Sequence, residues 1–190
     1  MITIKKYAAI DIGANAMRLL VTNIVEQKNC TPQFNKCALV RVPIRLGQDA
    51  FTVGEISEEN IDRMVDAMKA FKLLMKVHKV EKYHACATSA MREAYNGKEI
   101  VDLIKKKADI KIEIIEGKKE ATIVAASDLN HFINSDKTYL YVDVGGGSTE
   151  FSLFNKGVII ASKSFKNGTV RLLNNMVSEI VWQEIEKWIK

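Results

Sequence analysis

At 190 residues with 47% apolar side chains, the chain can bury one large core or two small ones. A net charge of +5 suits a polyanionic ligand, but no basic stripe with interleaved aromatics runs along the chain, so nucleic-acid binding is not expected. The longest apolar runs, Thr122 to Ala126 and Gly157 to Ala161, fall far short of the ~20 residues of a membrane span; with no signal-like apolar region before the first strand, a cytoplasmic, non-membrane protein is expected.

In chain order, residues 7 to 25 read as a β-hairpin. A third strand is expected from Cys37 to Gly47, with Pro43 marking an edge or a bulge. Ser57 is the expected N-cap of a helix carrying Ile61, Met64, Val65, Met68, Phe71, Leu74 and Met75 at helical spacing; its methionines read as core filler. Tyr83 to Thr88 is a short strand, followed by a helix capped by Ser89 that places Arg92 near the strand's carboxyl end. A helix from Lys98 to Lys107 precedes a strand from Ile110 to Ile115, and Glu120 stands about a turn into the helix after it. The second hairpin spans Tyr139 to Phe154, and a further strand runs from Val158 to Phe165. Helices then begin at Thr169 and Ser178. Cys30, Cys37 and Cys86 sit at no metal-binding spacing and read as reduced thiols, and His78, His84 and His131 receive no role.

Two stretches carry the chemistry. In the second hairpin a buried strand ends at Asp143, and Gly145, Gly146 and Gly147 follow. Consecutive glycines cost strand stability through backbone entropy, so they imply that the backbone approaches something closely. A turn without side chains presents N–H donors suited to a phosphate oxygen, and a carboxylate at the strand end can hold a cation against it. Ser148 and Glu150 point toward the same mouth if the alternation holds. The first hairpin repeats the plan: aligning Asp11 with Asp143 also matches Tyr7 with Tyr139 and Gly13 with Gly145. Two such turns facing each other would clamp a phosphate chain and its metal from both sides.

Four ordered blocks resemble the exopolyphosphatase and guanosine-pentaphosphate phosphatase (Ppx/GppA) family of the actin-like, sugar-kinase-like superfamily. They are Ile10 to Leu19, Ala87 to Asn96, Ile114 to Ala121 and Val142 to Glu150. The resemblance implies an α/β, ribonuclease-H-like (actin-like ATPase) fold with mixed sheets and helices. Residues 1–135 would form the first lobe and 136–190 the truncated beginning of a second. It further implies hydrolysis of the terminal phosphate of inorganic polyphosphate or of guanosine pentaphosphate, yielding the tetraphosphate, with Mg²⁺ or another divalent cation. Glu120 matches the family's general base; Asp143 and Glu150 match its metal-associated carboxylates, with Asp11 at the equivalent strand end. Gly145, Gly146, Gly147 and Ser148 match its phosphate loop, and Asn15, Arg18 and Arg92 match phosphate-binding positions.

Two departures stand out. Ala14 and Ala16 replace serines usual in the first turn, and Lys119 replaces an acidic residue often found before the base. An ATP-dependent kinase or ATPase of the same superfamily, or a non-catalytic sensor of alarmones or polyphosphate, remains open at this point. Uncovered sheet edges in a truncated second lobe would favour self-association, a homodimer being the simplest form.

Overall fold

The computed structural model describes residues 2–126 and 137–190; the expected lobe boundary at 135/136 and His131 lie outside the described residues. The first sheet has five strands in the order β3-β2-β1-β4-β5. Strands β1 (Ile2–Ile12), β2 (Ala16–Gln27) and β3 (Gln33–Pro43) form an antiparallel meander. Strands β4 (Lys82–Ala87) and β5 (Glu113–Ile114) then add parallel to β1. The alternation of β1 and β2 turns Ala8, Ile10, Ile12, Met17, Leu19 and Val21 into the core. There they meet Met64, Met68, Phe71 and Met75 of α2 (Glu58–Val77) and Ile100 and Ile104 of α4 (Gly97–Ala108). Pro43 closes the edge strand, where a missing N–H leaves no ladder partner unsatisfied.

The second sheet is an antiparallel meander of β6 (Thr138–Val144), β7 (Thr149–Asn155) and β8 (Val158–Phe165). Helix α5 (Gly117–Ala126), which follows the last strand of the first sheet, packs against β8 and β7 of the second. Helices α6 (Thr169–Leu173) and α7 (Glu179–Ile189) follow; Trp188 of α7 joins Phe151 and Phe165 in a cluster with ring centroids 5.6–6.0 Å apart. No helix among the described residues is long and apolar enough to cross a membrane.

Three elements depart from the sequence reading. The strand expected to reach Gly47 stops at Pro43, and Leu46–Thr52 forms a short helix, α1. Its start is tied to the first turn: the Arg45 amide donates to the Asn15 carbonyl at 2.9 Å and the Gly47 amide to the Ala14 carbonyl at 2.7 Å. The strand expected over Ile110 to Ile115 pairs only at Glu113 and Ile114. Ahead of it, the Lys111 amide donates to the Tyr83 hydroxyl instead of to a neighbouring strand. In α3 (Ser89–Glu93) the N-cap is Thr88, not Ser89, and it makes no side-chain capping bond. Ser57 does cap α2, accepting from the Asn60 amide at 3.4 Å. The Asn60 side-chain amide donates to Asp49 at 2.8 Å, and the same Asp49 oxygen accepts from the Ser57 amide and hydroxyl.

Candidate active site

Between the two sheets lies a cleft of about 560 Å³. Both hairpin turns line it: Gly13 to Ala16 on one wall and Gly145 to Ser148 on the other. The turns are closed the same way. The Gly13 amide donates to the Ala16 carbonyl at 3.1 Å, and the Gly145 amide to the Ser148 carbonyl at 2.9 Å. Asp11 and Asp143 end their strands at equivalent places and both face the cleft.

Gly146 and Gly147 of the second turn are required by contact between the two halves, whereas a Cβ on Gly145 would meet only the Ser148 carbonyl of its own turn. A side chain on Gly147 would bring its Cβ to 2.3 Å from Ser89 Oγ and 2.4 Å from Phe51 Cζ. One on Gly146 would approach the Ala14 methyl to 2.9 Å. The backbone closely approached here is therefore approached by protein, namely α1, α3 and the first turn. Buried Ala14 fits into this contact, which gives the departure from serine a packing role.

Glu120, in the first turn of α5, enters the cleft with Asp11, Asp143 and Glu150. Its Oε2 is buried and has no hydrogen-bond partner among the described residues. Burial above all, and then the charge of Glu150, push its pKa up to about 7; Arg92 opposes the shift, and Asp11 and Asp143 add to it. Asp11 is also raised, by burial first and by Asp143, against the pull of Arg18. Glu150 is buried, and its Oε1 accepts from Ser148 Oγ and Ser164 Oγ, each at 2.6 Å. Sequence reasoning missed Ser164, because β8 reaches this carboxylate only through the pairing of Ser164 with Glu150 across the sheet.

The remaining expected residues divide. Asn15 and Arg18 line the cleft, Arg18 forming a 3.6 Å ion pair with its cross-strand partner Asp11. Arg92 does not line it: its guanidinium donates to the Ile115 carbonyl at 2.6 Å and lies 3.9 Å from Glu116, acting on Glu120 through its charge. Lys119 lines the cleft, with its ammonium bonded to Glu113. Thr88 and Ser89, read from sequence as a strand end and a helix cap, are buried residues that line the cleft.

Arg171 was missed as well, and it joins the two halves. Buried in α6, it donates from Nε to the Gly147 carbonyl at 2.8 Å and from a terminal nitrogen to Glu93 at 2.6 Å. Its guanidinium also lies 3.9 Å from the centre of the Phe51 ring. Burial works against the Glu93 carboxylate, yet the hydrogen bond and charge of Arg171, helped by Lys166, outweigh it and hold the carboxyl below its ordinary range. An arginine following Asn167-Gly168 was the available signal, but nothing local says that it faces inward.

A family model described as the Ppx/GppA phosphatase family matches residues 21–187. The bifunctional 3-dehydroquinate synthase/phosphatase of Fusobacterium nucleatum is 33% identical, over 96% of this chain and 29% of its own length. The guanosine-5'-triphosphate,3'-diphosphate pyrophosphatase of Photobacterium profundum is 29% identical, over 88% of this chain and 32% of its own. A solved exopolyphosphatase from Cytophaga hutchinsonii superimposes with a TM-score of 0.77 at 32% identity, over 90% of this chain and 53% of that one. The chain thus spans about half or less of the length of these relatives. With the family match covering most of its length and the two facing turns in place, the chain belongs to the Ppx/GppA phosphatase family.

Proposed function

We propose that the protein to which this sequence belongs hydrolyses a terminal phosphoanhydride bond, in inorganic polyphosphate or guanosine pentaphosphate, with Glu120 as general base. One observation carries the reading: a carboxylate with a pKa of about 7 and a buried oxygen unpartnered among the described residues faces a cleft floored by two equivalent turns. A base poised near neutral pH can take a proton from water without holding it too tightly.

In this reading the Gly13 and Gly145 amides are spent on closing their own turns. Phosphate binding therefore falls to the middle of each turn, Ala14–Asn15 and Gly146–Gly147. Arg18 and Asn15 hold the chain on the first-sheet side. Glu120 orients a water in line with the terminal phosphorus and accepts its proton as the water's oxygen bonds to phosphorus and the bond to the leaving phosphate breaks. Ser148 and Ser164 fix Glu150, whose charge keeps the pKa of Glu120 high.

The acidic set fits a magnesium ion: Asp11 and Asp143 are hard oxygen donors that repel one another across the cleft, and Glu150 adds a third carboxylate. When bound, the cation would neutralise charge on the transferred phosphoryl group. The two lobes divide at residues 135/136 in this reading.

The test is phosphate release from polyphosphate, guanosine pentaphosphate and ATP, with and without magnesium. Glu120→Gln is expected to lower hydrolysis by ~10²–10⁴-fold while leaving substrate binding in place. Near-normal turnover by that variant removes Glu120 from the mechanism. Phosphate release from ATP in preference to the other two would assign the protein to the ATPases of its superfamily.

A further inference from the structure

Beside the acidic set lies a second cluster that the proposed hydrolysis does not use. His84 and Cys86 stand two apart on β4 and so share one face of the sheet, and both line the cleft. Glu113 on β5 is the register partner of Cys86. The three side chains converge, with their ligand atoms all within 4.8 Å of one another. His84 Nε2 lies 3.1 Å from Glu113 Oε2, and Cys86 Sγ lies 3.7 Å from His84 Nε2. In a tetrahedral zinc site with bonds of ~2.0–2.3 Å, neighbouring ligand atoms are about 3.3–3.5 Å apart, so modest side-chain adjustment closes the set. Spacing along the chain gave no hint of it, because the third ligand comes from the adjacent strand.

We propose that His84, Cys86 and Glu113 bind a divalent cation of the zinc class on the wall of the cleft, in competition with Lys119 for Glu113. Imidazole and thiolate prefer such a borderline ion to magnesium, so the two cations sort between this cluster and the acidic set. Three protein ligands leave a fourth position for water or an anion. Binding transfers the Cys86 thiol proton to solvent and draws the Glu113 charge away from Lys119, which holds the carboxylate's other oxygen. Lys119 directly precedes Glu120, so occupancy would alter the charge beside the proposed base.

The test titrates zinc, and cobalt as its spectroscopic stand-in, into the protein in excess magnesium. The expected result is one ion per chain, release of about one proton, and a thiolate-to-cobalt charge-transfer band. Cys86→Ser and His84→Asn should each weaken the affinity by more than ~10-fold, since even a partner behind a ligand is worth that much. His84 is exposed, so its variant reports on binding without threatening the fold. The exposed thiols are controlled by Cys30→Ser/Cys37→Ser, which should change nothing. Lys119→Ala should tighten binding by removing the competitor, and an unchanged affinity there overturns the competition. Absence of binding, retention of affinity in the His84 and Cys86 variants, or a band lost with Cys30 and Cys37 overturns the site. None of these readouts depends on hydrolysis.

Discussion

The two hairpins that face across the cleft have the same backbone and different side chains. One constant shift carries Asp11 onto Asp143, Gly13 onto Gly145, Ala16 onto Ser148 and Arg18 onto Glu150, and the cross-strand registers and turn-closing bonds agree. At the last position the sign of the charge reverses. The first hairpin places Arg18 opposite Asp11, a half-exposed pair. The second places buried Glu150 opposite Asp143 and supports it with two serine hydroxyls. Ala16 has no carboxylate two residues on, so a hydroxyl there would lack the partner that Ser148 finds in Glu150. In the proposed function, one wall would receive anionic substrate and the other would concentrate negative charge around a cation and a base. Duplicated backbone supplies the symmetry, and the side chains break it.

The second hairpin is also the one pressed against its neighbours, and removing what presses it there should produce the largest effect. Arg171→Met deletes the bond to the Gly147 carbonyl and leaves Glu93, among the described residues, with the exposed Lys166. A loss of about 3 kcal/mol is expected, measured by urea unfolding, because breaking a buried ion pair strands its partner. The Glu93 carboxyl is held below its ordinary range, so its contribution is present at neutral pH and disappears as pH falls through that depressed value. Arg171→Met should therefore flatten the acid side of the stability profile. An unchanged unfolding midpoint would mean that the junction rests on other contacts.

Next in size is a paired substitution that contrasts the two turns. Gly147→Ala forces a methyl into the Phe51 ring, which is itself held under Arg171, and should cost ~1–3 kcal/mol. Gly13→Ala meets nothing nearer than the Ala16 carbonyl oxygen at 3.5 Å and should stay within about 0.5 kcal/mol. Equal losses would show that the glycines serve the turn itself and not the junction.

Glycine 147 also marks where sequence reading stops. The triple glycine announces a close approach, and Asp143 and Glu150 on either side of it announce acid chemistry; strand periodicity placed β8 at its observed limits. None of this identifies the approaching surface. Phe51 and Ser89 arrive from α1 and α3, and Arg171 from a five-residue helix. Helix α1 was hidden because Arg41 to Leu46 continue a strand-like alternation; the carbonyls of the first turn end that strand by accepting from Arg45 and Gly47. Ser164 meets Glu150 through strand pairing, and Glu113 meets His84 from the adjacent strand and Lys119 from α5. Residues whose role is local were legible, whereas those whose role comes from an encounter between distant elements were not.

The charge reversal itself can be tested through pH. Glu120 titrates at about 7 against an ordinary 4.5, so the folded protein holds its proton over that interval and stability falls as pH rises through it. The proposed base must be ionised to act, so kcat/KM should rise with pH through the same region. After burial, Glu150 is the largest cause of the shift. Glu150→Gln should therefore move the acid limb of the pH–rate profile to lower pH, while Arg92→Gln should move it higher. An unmoved limb in both variants would assign that limb to a group other than Glu120.

The smallest change in stability belongs to the opposite wall. Arg18 and Asp11 are 57% and 48% exposed in their side chains, and solvent screens such a pair. Arg18→Ala should change unfolding stability by less than about 1 kcal/mol, yet raise the KM for a polyanionic substrate and push the Asp11 pKa further up. A measurable destabilisation with unchanged KM would make Arg18 a fold residue and leave the first hairpin without a cationic contact for substrate. The asymmetry of the two hairpins would then lie in packing alone, because Asn15 and the turn amides carry no net charge.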